Sequence, residues 1–225
     1  MKRAPKAAKK RAYHHGDLKD ELVAATDAIL LERGVEGFTL REAARRAGVS
    51  PAAPAHHFRD AKGLLGEVVL RAFRDFGDAL EAADRRGGRD VGARLRAQGL
   101  AYVRFALANP ARFQLMFRHA KYDITYPGLR EAGGRAFRIL EKGVRDAFAL
   151  KDEQRISDEA FGYLMAVWSV VHGFSHLALG GELDQVAAEH GGKGAILDRF
   201  LPLMLRHLPV PPGERPRGRG AQNFV

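Results

Sequence analysis

His172 and His176 stand four residues apart, so on a helix they share one face at the spacing with which two imidazoles grip a metal ion. With Tyr163 they form the constellation that a small helical enzyme or metal-binding protein would use. A third ligand is not evident, and no Glu follows His172 as it would in a zinc protease. A pair of hydrogen-bonded interface histidines explains them with fewer assumptions. His14–His15 and His56–His57 are adjacent pairs that point apart on helices. The chain has no cysteine, which removes thiol catalysis, thiolate metal sites and disulfides. There is no glycine-rich phosphate loop and no Ser-His-Asp set in a recognisable context. We therefore expect no enzyme, no cofactor and no bound metal.

Basic residues offer a second chemistry. Arg41, Arg45, Arg46, Arg59 and Lys62 fall within a short stretch, and the chain as a whole carries a net charge of +10 with a pI near 10.1. That balance favours a polyanionic partner, a nucleic acid or an anionic membrane. The most apolar stretch, Leu164 to Leu179, is broken by Ser169, His172, Ser175 and His176, so it reads as a buried helix and not as a membrane span. The basic start of the chain leads into Ala12-Tyr13-His14 and not into an apolar signal core. A cytoplasmic protein without a membrane partner is the expectation.

The elements that must position these groups read as helices throughout. Hydrophobic residues make up 46% of the chain, helix formers dominate, and no alternating β-branched runs occur. The first helix is predicted from about Asp17 to Arg33, with Leu18, Leu22, Ala25, Ile29 and Leu30 as its stripe and Gly34 beyond its end. Thr39-Leu40-Arg41-Glu42 reads as a reciprocal capping box, Thr39 capping the backbone and Glu42 reaching back. The second helix then runs from Leu40 to near Ala47, and Gly48 supplies a sharp turn. Ser50 as N-cap and Pro51 at the first helical position predict a third helix to about Phe58, weakened by Pro54. A fourth runs from about Asp60 to Arg85. Further helices are predicted at about 90–107, 110–118, 126–149, 157–179 and 190–207, the last bent by Pro202.

Two short helices around a Gly turn form a helix-turn-helix, a unit whose second helix enters the major groove of DNA by its N-terminal end. His14-His15-Gly16-Asp17-Leu18 and the run from Gly37 through Thr39, Gly48 and Ser50 resemble the N-terminal domain of TetR-type repressors over about residues 14–75. That resemblance implies a helical repressor whose C-terminal domain binds a small molecule and dimerises. Two positions depart from the family pattern. Ala55 stands where an aromatic, commonly Tyr, is usual, and Ala61 stands where Lys or Arg is usual, with Lys62 next to it. In the family both side chains hold phosphates. The segment from Tyr102 to Phe113, with Trp168 and His172-Gly173, resembles a WHG-like C-terminal domain of a TetR subgroup.

The expected architecture is all-α and TetR-like, with about nine helices. A three-helix DNA-binding domain spans 14–75 and a ligand-binding and dimerisation domain spans 76–207. A basic arm at 1–13 and a tail at 208–225 are expected to be disordered. Thr39, Arg41, Arg45, Arg46, Ser50, Ala52, Ala53, His56, His57, Arg59 and Lys62 are the candidate contacts to a double-stranded operator. Tyr102, Phe105, Phe113, Met116, Phe117, Phe137, Tyr163, Trp168 and His172 are candidate walls of an effector pocket. The 157–179 helix is apolar nearly all round, so one side should meet a second subunit. Phe161, Leu164, Met165, Val171 and Leu179, with Ile196, Phe200 and Leu203 from the last helix, are the candidate homodimer interface. The predicted function is a repressor released from its operator by an apolar or aromatic small molecule. The alternatives are the histidine-based enzyme or metal-binding protein and a sensor of the same fold with weakened DNA binding.

Overall fold

Helix α1, His15–Arg33, buries Leu22, Ile29 and Leu30 completely or nearly so in the computed structural model, which describes residues 15–208. The arm at 1–13 and the tail from 209 onward lie outside the described residues. Gly34 ends α1 at φ 66°, its N–H bonded to Leu30 O at 2.9 Å. A 3-10 turn, Val35–Gly37, leads to Thr39, whose hydroxyl accepts from Glu42 N at 3.2 Å and starts α2, Leu40–Arg46. The reciprocal half of the expected capping box is replaced. The Glu42 carboxylate binds Arg45 and Arg46 instead, because two guanidinium groups one turn on outcompete a single backbone N–H.

The turn after α2 is set by local sequence. Gly48 adopts φ 69°, Val49 N reaches back to Ala44 O at 3.0 Å, and Gly48 N reaches Arg45 O at 3.2 Å. This is a Schellman ending, and only glycine takes it without strain. The next segment departs from expectation. Ser50 does not cap an α-helix. Residues 51–54 are turns, and α3 is only Ala55–Phe58, with Pro54 as its N-cap. Pro54 has no N–H to give Ser50 O, so that carbonyl accepts from Ala53 N at 3.0 Å and the chain closes i to i+3 turns until Phe58 N reaches Pro54 O at 2.9 Å.

Helix α4, Ala61–Arg86, is the spine of the molecule. Asp60 caps it by accepting from Gly63 N at 2.9 Å, and it buries Leu64, Leu65, Val68, Val69, Ala72, Phe76 and Leu80. It crosses the expected boundary at 75/76 without a break, and one continuous core runs from Leu22 to Leu205. Then come α5, Val91–Ala108, capped by Asp90, and α6, Pro110–Met116. Helix α7, Leu129–Ala147, begins three residues later than predicted, since Pro127 and Gly128 (φ 80°) make a turn there.

Helix α8, Asp158–Gly180, is capped by Ser157 and ends at Gly181 with φ 90°. The predicted 190–207 helix is divided. A short α9, Asp184–Glu189, stops at Gly191 and Gly192, both at positive φ. Helix α10 is assembled from Gly192–Ala195, a π segment Ile196–Phe200, and Leu201–His207. Leu201 N donates to Ile196 O, five residues back, and Pro202, which lacks the next N–H, comes at once. The described residues thus hold ten helices and no strand.

Candidate nucleic-acid interface and apolar cavity

The helix pair 40–58 packs through small side chains. Ala43 and Ala44 are fully buried, as is nearly all of Phe58. Gly63 lets α4 touch this unit, since a Cβ there would lie 1.9 Å from Phe58 O. The outward face carries Ser50, Pro51, Ala52, Ala55 and His56, all exposed, while Ala53 and His57 are half-buried and Pro54 is buried. Small side chains over exposed turn backbone give a surface that a groove edge can approach closely.

The arginines separate into two groups. Arg41 is exposed, and Arg45 is 70% exposed although its guanidinium grips Glu42 through two hydrogen bonds of 2.8 Å. Those bonds, together with Arg46, hold the Glu42 carboxyl down at about 2. Arg46 is different. Its Nη1 and Nη2 donate to Glu32 at 2.8 and 2.6 Å, and its Nε donates to Glu42 at 2.9 Å. It ties α1 to α2, and Glu32 and Glu42 hold three of its five N–H donors. Arg59, at φ 63°, is 82% exposed and lies between Asp60 and Asp123; Lys62 is exposed beside it. Thr39 is exposed, with its hydroxyl occupied as a cap.

Behind this unit lies a cavity of about 300 Å³ bounded by α4, α5, α7, α8 and the end of α10. Of the predicted pocket residues, Tyr102, Phe117, Phe137, Tyr163 and Trp168 line it. Phe113 and Met116 are fully buried in the core and Phe105 packs on Phe76 with ring centroids 5.0 Å apart, so these three belong to the wall behind. His172 stands against Phe117, ring centroids 4.5 Å apart, and its Nδ1 meets the Tyr102 hydroxyl at 2.7 Å. Burial raises the Tyr102 phenol and burial, helped by His176, lowers His172. Both shifts favour the uncharged form of each partner, a neutral phenol against a neutral imidazole. His176 is 4.6 Å from His172, ring to ring, and the described residues gather no group of three His, Cys, Asp or Glu able to hold a metal.

Sequence reasoning missed the α4 and α5 walls, Phe73, Phe76, Leu80, Leu95, Gln98 and Gly99. A signal was present, since Gln98-Gly99 interrupts the apolar stripe of α5. A Cβ at Gly99 would lie 3.2 Å from Leu205 and 3.3 Å from Val171, so that glycine admits both. The segment between α6 and α7 was missed as well, and it joins the cavity to the residues that flank the helix-turn-helix on either side. His119 lines both the cavity and a crevice shared with Arg59, Asp60 and Lys62. Further along, Lys121 Nζ pairs with Glu36 at 2.6 Å, Asp123 N donates to Lys62 O at 3.1 Å, and the Tyr126 hydroxyl donates to Glu67 at 2.9 Å.

The predicted interface residues also divide. Leu164, Val171 and Ile196 are buried within their own subunit, Leu164 against Val144 and Ala160 and Val171 beside Gly99. Met165, Leu179 and Phe200 are half-buried, and Phe161 and Leu203 are 48% and 43% exposed. The outer face of α8 instead carries Gly162, Ala166, Ser169 and Gly173 between Phe161 and Leu177. No helix among the described residues is long and apolar enough to cross a membrane.

Comparison with known proteins places both halves. The family described as bacterial regulatory proteins, tetR family, matches residues 22–68, and the tetracyclin repressor-like C-terminal domain matches residues 95–200. The HTH-type transcriptional regulator BetI of Yersinia pestis (strain Pestoides F) is 35% identical over 63 residues, 28% of this chain; the chain spans only 32% of the length of that relative. A solved structure of a protein with unknown function from Rhodococcus sp. RHA1 is 32% identical with a TM-score of 0.71, covering 88% of this chain and 97% of that one. A bacterial regulatory protein of the tetR family from Rhodococcus RHA1 shares the fold at TM-score 0.62 and 17% identity, covering 86% of this chain and 97% of that one.

Proposed function

The chain belongs to the TetR family of bacterial transcriptional regulators, a class of DNA-binding proteins and not of enzymes, and from that premise we propose that it is a homodimeric repressor released from its operator by a small apolar molecule. The observation that carries this reading is the exposed face of Ser50, Pro51, Ala52, Ala55 and His56, held on α4 by Asp60, Gly63 and Phe58. In a dimer, two such faces spaced by one DNA turn, roughly 34 Å, grip a pseudo-palindromic site. Ser50, Ala52, Ala53 and His56 lie nearest the base edges, and Arg41, Arg45, Arg59 and Lys62 meet phosphates.

The cavity is the effector site in this reading. An occupant touching Phe117 and His119 moves the segment that Lys121, Asp123 and Tyr126 fasten to Glu36 before α2 and to Lys62 and Glu67 of α4, on either side of the helix-turn-helix. A ligand that fits one position of that segment better than another shifts the spacing of the two reading heads, and affinity for DNA falls by its differential affinity for the two states.

One observation favours a second reading, a sensor with weakened DNA binding. The α-helical part of the reading head is four residues long, and Ala55 and Ala61 stand at the positions of family phosphate contacts. Operator selection from random duplexes at low salt decides between them. Enrichment of a palindromic site by the unaltered protein supports the repressor. Enrichment only by an Ala55→Tyr, Ala61→Lys variant supports the sensor, and no enrichment by either removes both.

A further inference from the structure

We propose that the cavity takes an amphipathic monoanion, an apolar body ending in one carboxylate, whose head is held by Arg96 and Tyr163 at the opposite end from Phe117 and His119. This rests on the reading of the cavity as the effector site and adds the chemical class of the effector.

Arg96 alone among the described residues lining the cavity carries a permanent charge, and none of them is Asp or Glu. The rest of the wall is almost wholly apolar or aromatic. Its neighbour Arg94 is held by Asp84 at 2.9 Å and Asp146 at 2.7 Å, whereas Arg96 makes no ion pair or hydrogen bond among the described residues. Arg96 and Tyr163 are both half-buried. Water can therefore solvate the guanidinium while the site is empty, and an anion can replace that water.

The helices set this charge at one end of the cavity. Tyr102 of α5 meets His172 of α8 at 2.7 Å, and Gly99 lies against Val171. Arg96 and Tyr163 stand six and nine positions before Tyr102 and His172, each towards the start of its helix. At 1.5 Å per residue that is about 9–13 Å along the helices. The far end is where Phe117 packs on His172. Burial raises the Tyr163 phenol while the charge of Arg96 pulls it down, which sets guanidinium and hydroxyl near each other. A planar fork of N–H donors and a phenol O–H together suit one carboxylate, and the apolar wall beside them strengthens charge-assisted bonds. An alcohol of the same shape leaves the fork unfilled.

The test uses the full-length protein and its single tryptophan, Trp168, which lines the cavity and reports occupancy by its fluorescence. Two matched pairs are titrated: decanoate against decan-1-ol, and biphenyl-4-carboxylate against biphenyl-4-methanol. Arg96→Met should weaken at least one carboxylate by about tenfold or more while its alcohol shifts by less than about twofold. Arg96→Lys should recover part of the loss, and Tyr163→Phe should weaken the same carboxylate by about threefold or more. If Arg96→Met does not fold, Arg96→Gln takes its place. Equal losses for acid and alcohol, carboxylate binding untouched at Arg96, or no binding of either carboxylate overturns the proposal. Unchanged binding in Tyr163→Phe overturns the share given to that hydroxyl. Operator selection without ligand keeps the outcomes separate. An enriched operator with no Arg96-dependent carboxylate binding sinks this inference alone, whereas such binding that never weakens DNA binding leaves the carboxylate site standing and removes its role as effector.

Discussion

The Tyr126 hydroxyl donates to Glu67 Oε2 at 2.9 Å, joining the turn before α7 to the buried face of α4. Glu67 is 4% exposed and also binds Lys19 of α1 at 2.9 Å and Arg71 at 2.8 Å. One carboxylate thus gathers the DNA-reading domain, the spine and the cavity domain. Burial alone would push Glu67 up, but the hydrogen bonds from Arg71, Lys19 and Tyr126 outweigh it and hold it below the usual glutamate range.

Tyr126→Phe removes one donor to a charged, buried acceptor and should cost about 1–2 kcal/mol in urea unfolding. The sign with pH is set by the lowered Glu67. Its contribution is complete above the unfolded value of about 4.3 and is lost as pH falls through the folded one. The stability difference between the unaltered protein and Glu67→Gln should therefore be largest near neutral pH and shrink below about pH 4. A difference that stays constant from pH 7 to 3 would exclude this role.

Gly63→Ala puts a Cβ 1.9 Å from Phe58 O and 3.0 Å from Phe58 C, both backbone atoms that cannot rotate away. The reading head must shift on α4. Operator affinity in a gel shift should fall by roughly tenfold or more, since base contacts tolerate little displacement. Trp168 fluorescence, which reports the distant cavity, should stay as it is.

Arg41 and Arg46 should behave oppositely despite lying on the same short helix. Arg41→Ala should weaken DNA binding across all sequences and lower the slope of log K against log salt by about one per protomer. Arg46→Ala breaks the link to Glu32 and Glu42 and should lower the thermal midpoint while leaving that salt slope unchanged. Equal salt effects from the two substitutions would show that Arg46 turns outward on DNA.

Ala166→Arg places a long cation in the middle of the small-residue face of α8, flanked by Phe161 and Leu177 at 48% and 47% exposure. If two α8 helices pack there, light scattering should show dimer for the unaltered protein and monomer for the variant at the same micromolar concentration, with helical content equal by circular dichroism. A variant that remains dimeric moves the interface elsewhere.

The sequence by itself determined what is decided within about one helical turn. Thr39 as a cap, Gly34 and Gly48 at positive φ, and the helix pair they frame all depend on bonds between residues three to five apart, which neighbouring residue types specify. The same locality explains the all-α fold and most helix ends. Pro54 is legible in the same way, and its missing N–H outweighs the Ser50-Pro51 signal in deciding where α3 starts.

Tertiary structure decided the rest, because those outcomes depend on partners far along the chain. Arg46 looks like any basic residue on an exposed helix until Glu32, fourteen positions away, takes its guanidinium. Leu164 and Val171 look as available to a second subunit as Phe161, and only the packing of α8 on α5 and α7 covers the first two and leaves the third outside. The cavity is walled by residues as far apart as Phe73, Gly99, Phe137, Trp168 and Leu205, which only the packing of α4, α5, α7, α8 and α10 brings together. An apolar helix can turn any face inward at similar local cost, so the choice belongs to long-range packing.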